Sequence, residues 1–382
     1  MEPPRLRWVS DAEPGLRRVA RGAGFAYLHP DGRPLRDAAA LRRIQALAIP
    51  PAYEEVWICR RADGHLQATG RDARGRKQYR YHALWQQQRG ALKFDGLLYF
   101  GRQLPRLRAR IGRQLGSGST PTRDRVLATL IHLLDTVWLR IGNDEYARSN
   151  GSYGLTTLRA RHARIEGDAL RLSFVGKSGV RQQLTLSDRR VARIVRRCRE
   201  LPGQELFRYV DGDGQTLRIG SADVNASLAD WCAPADGPRD GPARSISAKD
   251  FRTWHASVMA LDALLNHDFD AAGARKPLNE MLGQVAQRLG NTPAVCRKAY
   301  VHPAVLARGE GMDSVEAQAA LRTQDWAQSP PPRRGLSLAE RRLMALLASA
   351  KSAALPARRP SVGKLLHARG APPDSRAAPA RR

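Results

Sequence analysis

The chain has 382 residues, and 64 lysines and arginines against 36 aspartates and glutamates give it a formal net charge of +28. Such a charge favours a polyanionic partner: nucleic acid is the first choice, and an anionic membrane surface is a weaker second. The sequence contains no run of about 18 apolar residues, the length that a transmembrane helix needs, so no such helix is expected. The four cysteines are scattered, without disulfide-framework or zinc-site spacing, which favours a reducing, cytoplasmic setting.

Residues 1–95 are predicted to form a small β-rich N-terminal domain. Its predicted elements are a strand at 24–28 leading into a hairpin turn at 30–32, a helix over 38–47, and strands at 56–59 and 65–69. A segment that mixes basic and aromatic residues follows, from Arg71 to His82.

Residues 96–327 are predicted to form a larger, mainly α-helical domain, so the fold class is α+β. Apolar residues at helical spacing predict a buried face in a helix over 122–141. Strands separated by tight turns, at 158–165, 170–175 and 182–186, predict a three-stranded antiparallel sheet. Further helices are predicted at 106–116, 189–200, 221–232, 248–266, 277–289 and 293–300.

Residues 328–382 are rich in proline, alanine and arginine. A proline-rich linker at 330–335 precedes one possible short helix at 336–350. Such a composition buries too little apolar surface to offset its ordering entropy, so the sequence predicts a disordered basic tail.

Four short clusters carry residues suited to phosphoryl transfer; they lie at 138–143, 174–179, 248–253 and 289–300. Arg140 and Arg252 can each fork onto nonbridging phosphate oxygens and stabilise a five-coordinate transition state. Lys177, at a β-turn tip, can donate a proton to a leaving oxygen, and the Tyr300 hydroxyl can act as a covalent nucleophile. Each residue alone has an ordinary structural explanation, so the inference depends on their order and context.

The sequence offers no cofactor-binding or metal-binding motif. It contains neither a GxxxxGK[ST] loop for ATP nor a dense group of carboxylates for two Mg²⁺ ions. We therefore expect phosphoryl chemistry driven by arginine and lysine, with no cofactor and no metal.

In this order, the clusters resemble the type IB DNA topoisomerases of the poxvirus and bacterial type, over about residues 11–308. The family's Arg-[Ile/Phe]-Gly segment places a catalytic arginine at Arg140, and Lys-Asp-[Leu/Phe]-Arg-Thr places the second phosphate clamp at Arg252. Its Phe-Val-Gly-Lys hairpin places the general acid at Lys177.

The last cluster carries two more positions of the family. The residue after glycine in Gly-[His/Asn]-Thr-Pro, here Asn291, contacts a phosphate oxygen, and the tyrosine of Arg-[Lys/Ala]-x-Tyr, here Tyr300, is the nucleophile. Viral members usually carry histidine where this chain has Asn291. Asparagine can still donate one hydrogen bond to a nonbridging oxygen, which predicts a functional substitution.

The N-terminal basic segment resembles the family's Gly-Arg-x-Gln-Tyr-x-Tyr strand, which faces DNA. Alternation along a strand puts Gln78, Arg80 and His82 on one face and Lys77, Tyr79 and Tyr81 on the other. An edge strand guarded by charge is the alternative explanation. The predicted DNA contacts are Arg71, Arg76, Lys77, Gln78, Tyr79, Tyr81 and Tyr146.

The resemblance implies a monomeric topoisomerase that clamps duplex DNA and relaxes supercoils without ATP or metal, through a 3′-phosphotyrosyl intermediate. It also implies a bacterial, cytoplasmic and nucleoid-associated enzyme with no membrane partner.

Two other functions compete with this hypothesis. Tyrosine recombinases share the order Arg, Lys, Arg, Tyr, but they typically carry histidine where this chain has Lys249 and Leu-Gly-His where it has Leu-Gly-Asn. They also begin with a helical domain, whereas this chain begins with hairpins. A non-catalytic DNA-binding protein would suit the charge but has no use for a phenol beside two arginines. Lys249 is also the reserve candidate for the catalytic acid.

Overall fold

An antiparallel sheet forms the N-terminal part of the chain. The computed structural model describes residues 6–22, 24–233, 245–269 and 276–353. The first elements are β1 (Leu16–Arg21), β2 (Gly24–Leu28), α1 (Ala38–Ala46), β3 (Glu54–Ile58), β4 (Leu66–Arg71) and β5 (Lys77–Tyr81). The strand order is β2-β1-β3-β4-β5. Ile44 of α1 is buried against Leu16, Val56 and Ile58, so the helix closes one face of the sheet.

The first hairpin joins β2 to the strand before it, whereas the sequence predicts a hairpin through the turn at 30–32, after β2. The strand at 24–28 is confirmed as β2, but its partner is β1, which precedes it. Beyond the turn at 30–32, the chain makes an isolated bridge between Leu28 and Pro34. The sequence pattern does not predict β1, because arginine occupies three of its six positions and hides the apolar alternation.

The larger part of the chain is mainly helical. Its helices are α2 (Ala83–Asp95), α3 (Leu97–Gly116), α4 (Arg123–Val137), α5 (Asp144–Asn150), α6 (Arg189–Glu200), α7 (Ser221–Trp231), α8 (Ala248–Leu265), α9 (Pro277–Leu289), α10 (Pro293–Ala299), α11 (Pro303–Glu310), α12 (Val315–Arg322), α13 (Asp325–Gln328) and α14 (Leu338–Ala353). Its strands are β6 (Ala163–Glu166), β7 (Ala169–Val175), β8 (Arg181–Ser187), β9 (Arg208–Val210) and β10 (Thr216–Arg218). One hydrophobic core, from Leu97 to Leu347, takes residues from most of these elements.

The predicted three-stranded antiparallel sheet is confirmed, in the order β6-β7-β8. Leu170, Leu172 and Phe174 of β7 are buried, while the residues between them are exposed. This alternation packs one face of the sheet on the helical core and leaves the hairpin of β7 and β8 to project from it.

Short elements account for most of the differences from the predicted secondary structure. Helices α6 and α9 match their predicted bounds, but α2, α5, the β9–β10 hairpin and α11 to α13 are not predicted. Several of these elements span only three to eight residues. Such lengths carry little periodic signal, so tertiary packing decides their conformation.

The end of the described chain is not the disordered tail that the sequence predicts. Helix α14 packs on α3, α8 and α13. Its Leu343, Leu346 and Leu347 are buried in the main core. The apolar spacing of these leucines is helical, but the surrounding arginines and alanines mask it in the composition. The remainder of the predicted tail, residues 354–382, lies outside the described residues.

Truncation after residue 330 is expected to destabilise the protein severely, because it removes α14. Each buried leucine contributes roughly 2–5 kcal/mol, which is comparable in sum to a typical folding stability of about 5–15 kcal/mol. Thermal unfolding followed by circular dichroism measures the effect. Truncation after Ala353 keeps these contacts and serves as the control. Equal midpoints for the two truncated proteins would contradict the structural role of α14.

The α+β class is confirmed: a β-rich N-terminal region precedes a mainly helical one with a three-stranded sheet. The predicted domain boundary between residues 95 and 96 stays a prediction. Within the described ranges, no helix combines the length and apolar character that a membrane span requires.

Candidate active site

Arg140 lies in a loop that follows α4 and is fastened on both sides. The Arg140 carbonyl accepts a hydrogen bond from the Leu155 amide at 2.9 Å. Gly142 has a φ of 105° and lies so close to Gly154 that a Cβ on Gly154 would fall 2.5 Å from the Gly142 Cα atom. Arg140 donates from Nη2 to Asn291 Oδ1 at 2.5 Å. The loop therefore aims this guanidinium at the segment that follows α9.

Arg252 lies in the second turn of α8 and is almost completely buried, with 5% of its surface exposed. It donates from Nη1 to the Trp138 carbonyl at 2.5 Å and from Nη2 to the Leu289 carbonyl at 2.9 Å. Its buried Nε has no partner among the described residues. Burial, and then the charge of Arg140, lower the pKa of Arg252 from its ordinary value, although the group remains a cation.

Asn291 follows the C-terminus of α9, where Gly290 adopts the left-handed conformation with a φ of 59°. Glycine suits this position because a side chain is disfavoured at such an angle. The Asn291 Oδ1 atom is taken by Arg140, while its buried Nδ2 has no partner among the described residues. An unpaired buried donor beside two arginines is suited to an oxygen of a phosphate.

Tyr300 ends α10, and its amide donates to the Cys296 carbonyl at 2.9 Å. The Arg252 guanidinium carbon lies 5.1 Å from the centroid of the Tyr300 ring. Burial by itself raises the pKa of the Tyr300 phenol, but Arg252, Arg140 and Lys93 outweigh burial and bring this pKa below its ordinary value. The surroundings thus favour the phenolate, which is the nucleophilic form.

Lys93 is a site residue that the sequence analysis does not predict. Its ammonium lies 5.0 Å from the centroid of the Tyr300 ring and donates to the Ala299 carbonyl. It reaches the site from α2, and 206 positions in the sequence separate it from Ala299, whose carbonyl it binds. No local motif marks it, so only the fold could identify it.

Replacing Lys93 with alanine is expected to raise the pKa of Tyr300, because one of the cations that lower this pKa is removed. A higher pKa leaves less phenolate at a given pH, so the pH profile of single-turnover DNA cleavage should move to higher pH. Lys298→Ala, which removes an exposed lysine of α10 that is not among the cations lowering the pKa of Tyr300, is the matched control. An unchanged profile for the Lys93 variant would contradict this electrostatic role.

Lys177 lies at the tip of the β7–β8 hairpin, and among the described residues it makes no contact with Arg140, Arg252, Asn291 or Tyr300. Its side chain is exposed, and the described residues offer it no hydrogen bond or ion pair. The turn end of the hairpin is close to the segment after α9, since a Cβ on Gly290 would fall 3.2 Å from Nε2 of Gln182, the second residue of β8. Ser178 and Gly179 both have positive φ, of 64° and 76°, and form the tight turn that projects the lysine.

Lys249 also lies outside the convergent group. It is exposed in the first turn of α8, one helical turn before the buried Arg252. Its neighbour Asp250 accepts hydrogen bonds from the Ser247 amide and hydroxyl at 2.8 and 2.9 Å and so caps the helix. The structure therefore brings together Arg140, Arg252, Asn291 and Tyr300, but neither lysine.

The predicted DNA-contact strand shows the expected alternation. Lys77, Tyr79 and Tyr81 of β5 are exposed, whereas Gln78 and Arg80 are half-buried. The rings of Tyr79 and Tyr81 stack with centroids 6.0 Å apart. On α5, the predicted contact Tyr146 is also exposed. These aromatic rings form an open surface.

The charged members of the predicted DNA contacts have acidic partners. Three ion pairs are present: Arg71 with Glu55 at 2.6 Å, Arg76 with Asp72 at 2.6 Å, and Lys77 with Asp11 at 2.5 Å. Gln78 donates to Asp72 at 2.9 Å. The pair of Arg71 with Glu55 is exposed on both sides, and exposed pairs contribute little to stability, so Arg71 can exchange its carboxylate for a phosphate at low cost.

No cluster of three or more metal-ligating side chains occurs within the described ranges. The donors at the site are guanidinium, amide and phenol groups, which bind oxyanions rather than cations.

Comparison with known proteins identifies the family. The catalytic-core model of eukaryotic DNA topoisomerase I matches residues 82–324, and the N-terminal-domain model of bacterial DNA topoisomerase IB matches residues 24–72. DNA topoisomerase 1B of Acanthamoeba polyphaga mimivirus is 29% identical over 296 residues, covering 75% of this chain and 85% of the relative. DNA topoisomerase 1B of Vaccinia virus (strain Copenhagen) is 22% identical over 280 residues, covering 71% and 82%. The chain therefore belongs to the type IB DNA topoisomerase I family, and it is an isomerase that acts on DNA.

Proposed function

We propose that this enzyme relaxes supercoiled duplex DNA by transient cleavage of one strand, without ATP or metal, through a 3′-phosphotyrosyl intermediate. The observation that carries the proposal is the convergence of Arg140, Arg252 and Asn291 on Tyr300. Three hydrogen-bond donors beside a phenol of lowered pKa form a binding site for a phosphodiester next to a nucleophile.

Cleavage begins when the Tyr300 oxygen attacks the phosphorus of a backbone phosphate. A bond forms between the phenol oxygen and phosphorus, and the bond from phosphorus to the 5′ oxygen breaks. Arg140 and Arg252 stabilise the charge on the nonbridging oxygens of the five-coordinate transition state. Asn291 adds a hydrogen bond from Nδ2, the donor that has no partner among the described residues.

Lys177 supplies the proton that the leaving 5′ oxygen needs. An exposed lysine on a projecting hairpin can reach the scissile phosphate of a DNA duplex seated against the site. Resealing is the reverse reaction: Lys177 takes the proton back, and the 5′ oxygen attacks the phosphotyrosine and displaces Tyr300. Because the diester conserves the bond energy, the cycle requires no ATP.

DNA is held by the N-terminal sheet on one side and the helical region on the other, as a clamp closed by a monomer. Tyr79 and Tyr81 on β5 and Tyr146 on α5 offer exposed rings to the sugar–phosphate backbone and base edges. Between cleavage and resealing, the free 5′ end rotates about the intact strand and releases supercoils.

Relaxation of supercoiled plasmid in EDTA, with no nucleotide added, tests the proposal. We expect full conversion to relaxed topoisomers, because the phosphate ligands are supplied by the chain itself. Mg²⁺ can still increase turnover by loosening product DNA. Complete loss of activity in EDTA, with recovery on addition of Mg²⁺, would overturn the proposed chemistry.

A further inference from the structure

Trp138 joins the two catalytic arginines. It follows the last residue of α4 with a φ of 59°, a left-handed conformation that is unusual for a residue with a large side chain. Its carbonyl accepts the bond from Arg252 Nη1 at 2.5 Å, and Arg140 lies two residues further along the chain. Residues remain in such a conformation only where the surrounding contacts determine it.

Two side chains contact the Trp138 ring, those of His255 and Arg288. On one side it stacks on His255, with centroids 5.0 Å apart and an interplanar angle of 9°. The guanidinium of Arg288 lies 4.8 Å from the ring centroid. The ring is thus clamped, and the orientation of the peptide that holds Arg252 depends on it.

His255 is itself held by a buried carboxylate. Its Nε2 lies 2.8 Å from Asp135 Oδ1, and both residues have 7% of their surface exposed. Arg108 donates to Asp135 from Nε at 2.7 Å and from Nη2 at 3.0 Å. Burial by itself raises the pKa of Asp135, but His255 and Arg108 hold this pKa well below its usual value, so the carboxylate stays ionised.

The chain of contacts ends on α14. Arg108 donates to both oxygens of Glu340, at 2.7 and 2.9 Å, and Glu340 lies in the first turn of that helix. Glu340 also accepts a hydrogen bond from the Trp254 indole at 3.1 Å. Trp254 and His255 lie two and three residues after Arg252, so this set of contacts begins and ends on α8, the helix that carries Arg252.

We propose that His255, Asp135, Arg108 and Glu340 are positioning residues for the reaction: through Trp138 they fix the Arg252 guanidinium, and they make α14 part of the catalytic apparatus. The inference rests on the proposed role of Arg252 as a phosphate ligand.

Buried ionic groups are an inefficient way to stabilise a helix, because their desolvation offsets much of the attraction. A network of two carboxylates, an arginine and a histidine that leads to a catalytic residue is better explained by geometry. A displacement of about 1 Å in a catalytic group can cost on the order of 10²-fold in rate.

His255→Phe is the decisive variant. It keeps a ring of similar size against Trp138 but removes the hydrogen bond between residue 255 and Asp135. Asp135 still has its two hydrogen bonds from Arg108, so its carboxylate is not left without a partner. Leu343→Ala is the matched control, because it weakens the packing of α14 without touching the network. Three quantities are measured for each: the thermal midpoint, DNA affinity, and the single-turnover rate of covalent adduct formation.

Nonbridging phosphorothioates report on the position of Arg252. In one of the two diastereomers, sulfur replaces the oxygen that Arg252 binds, and the unmodified enzyme should cleave this diastereomer more slowly. The diastereomer is identified with Arg252→Ala, whose cleavage rate should no longer depend on that sulfur. We expect His255→Phe to slow cleavage by about 10-fold or more, to retain DNA affinity, and to lose most of the same sensitivity. Leu343→Ala should lower only the thermal midpoint.

A His255→Phe enzyme with the rate and sulfur sensitivity of the unmodified enzyme would overturn the inference. If this variant does not fold, Glu340→Gln takes its place with the same readouts and the same deciding outcomes. Failure of the proposed function is a different result, since Arg252→Ala would then cleave DNA normally.

Discussion

Replacing Tyr300 with phenylalanine is expected to abolish both plasmid relaxation and covalent attachment to DNA. The change removes one oxygen atom, and that atom is the proposed nucleophile. Tyr300→Phe removes the hydrogen bond between the phenol and Arg252, but Arg252 keeps its bonds to the Trp138 and Leu289 carbonyls, and Arg140 keeps its bond to Asn291. A denaturing gel after incubation with supercoiled plasmid detects the covalent adduct.

DNA affinity is the control for this variant. We expect it to stay nearly unchanged, because the rest of the DNA-facing surface is untouched. A covalent adduct formed by Tyr300→Phe would show that another residue is the nucleophile. If Tyr300→Phe lost DNA binding as well as adduct formation, the phenol would contribute to binding and not to chemistry alone.

Replacing Lys177 with alanine is expected to give the second large effect, a severe loss of cleavage of ordinary DNA. The leaving 5′ alkoxide is a poor leaving group, because an alcohol has a pKa not far from that of water, about 15.7. A proton delivered as the bond breaks removes this difficulty, and such transfer typically contributes about 10²–10⁴-fold. The single-turnover cleavage rate measures the loss.

A bridging sulfur at the 5′ position distinguishes proton donation from other roles of Lys177. The leaving group becomes a thiolate, whose conjugate acid has a pKa of about 8.5 by analogy with cysteine, and it needs no proton. Cleavage by Lys177→Ala should then recover most of its lost rate, whereas Tyr300→Phe should not recover. Arg252→Ala should recover little, because its proposed partners are nonbridging oxygens.

An undiminished defect of Lys177→Ala on the sulfur substrate would mean that Lys177 is not the acid. Lys249 is then the next residue to replace, since it is exposed one helical turn from Arg252. Both lysines are exposed, so their roles depend on the position of the bound DNA.

The candidate site residues could be proposed from the sequence because each of them lies within a short local motif. Arg140 follows an apolar helix, Lys177 occupies a tight turn between two strands, and Asn291 follows a glycine that ends a helix. Local turns and caps depend on neighbouring residues, so a sequence pattern carries them. The grouping of Arg140 and Asn291 with Tyr300 was proposed from the resemblance to a family, because no local rule brings together residues 151 positions apart, as Arg140 and Asn291 are.

By itself, the sequence determined the fold class, helices such as α6 and α9, and the three-stranded sheet, since periodicity and turn chemistry are local properties. Only the tertiary structure decided that Lys93 lies beside Tyr300, that β1 is the partner of β2, and that α14 belongs to the core. The same holds for the contacts that run from Glu340 through Arg108 and Asp135 to His255, three residues after Arg252 on α8. A charged side chain has the same appearance in a sequence whether it is solvated or buried, and only the surrounding fold determines which partner it meets.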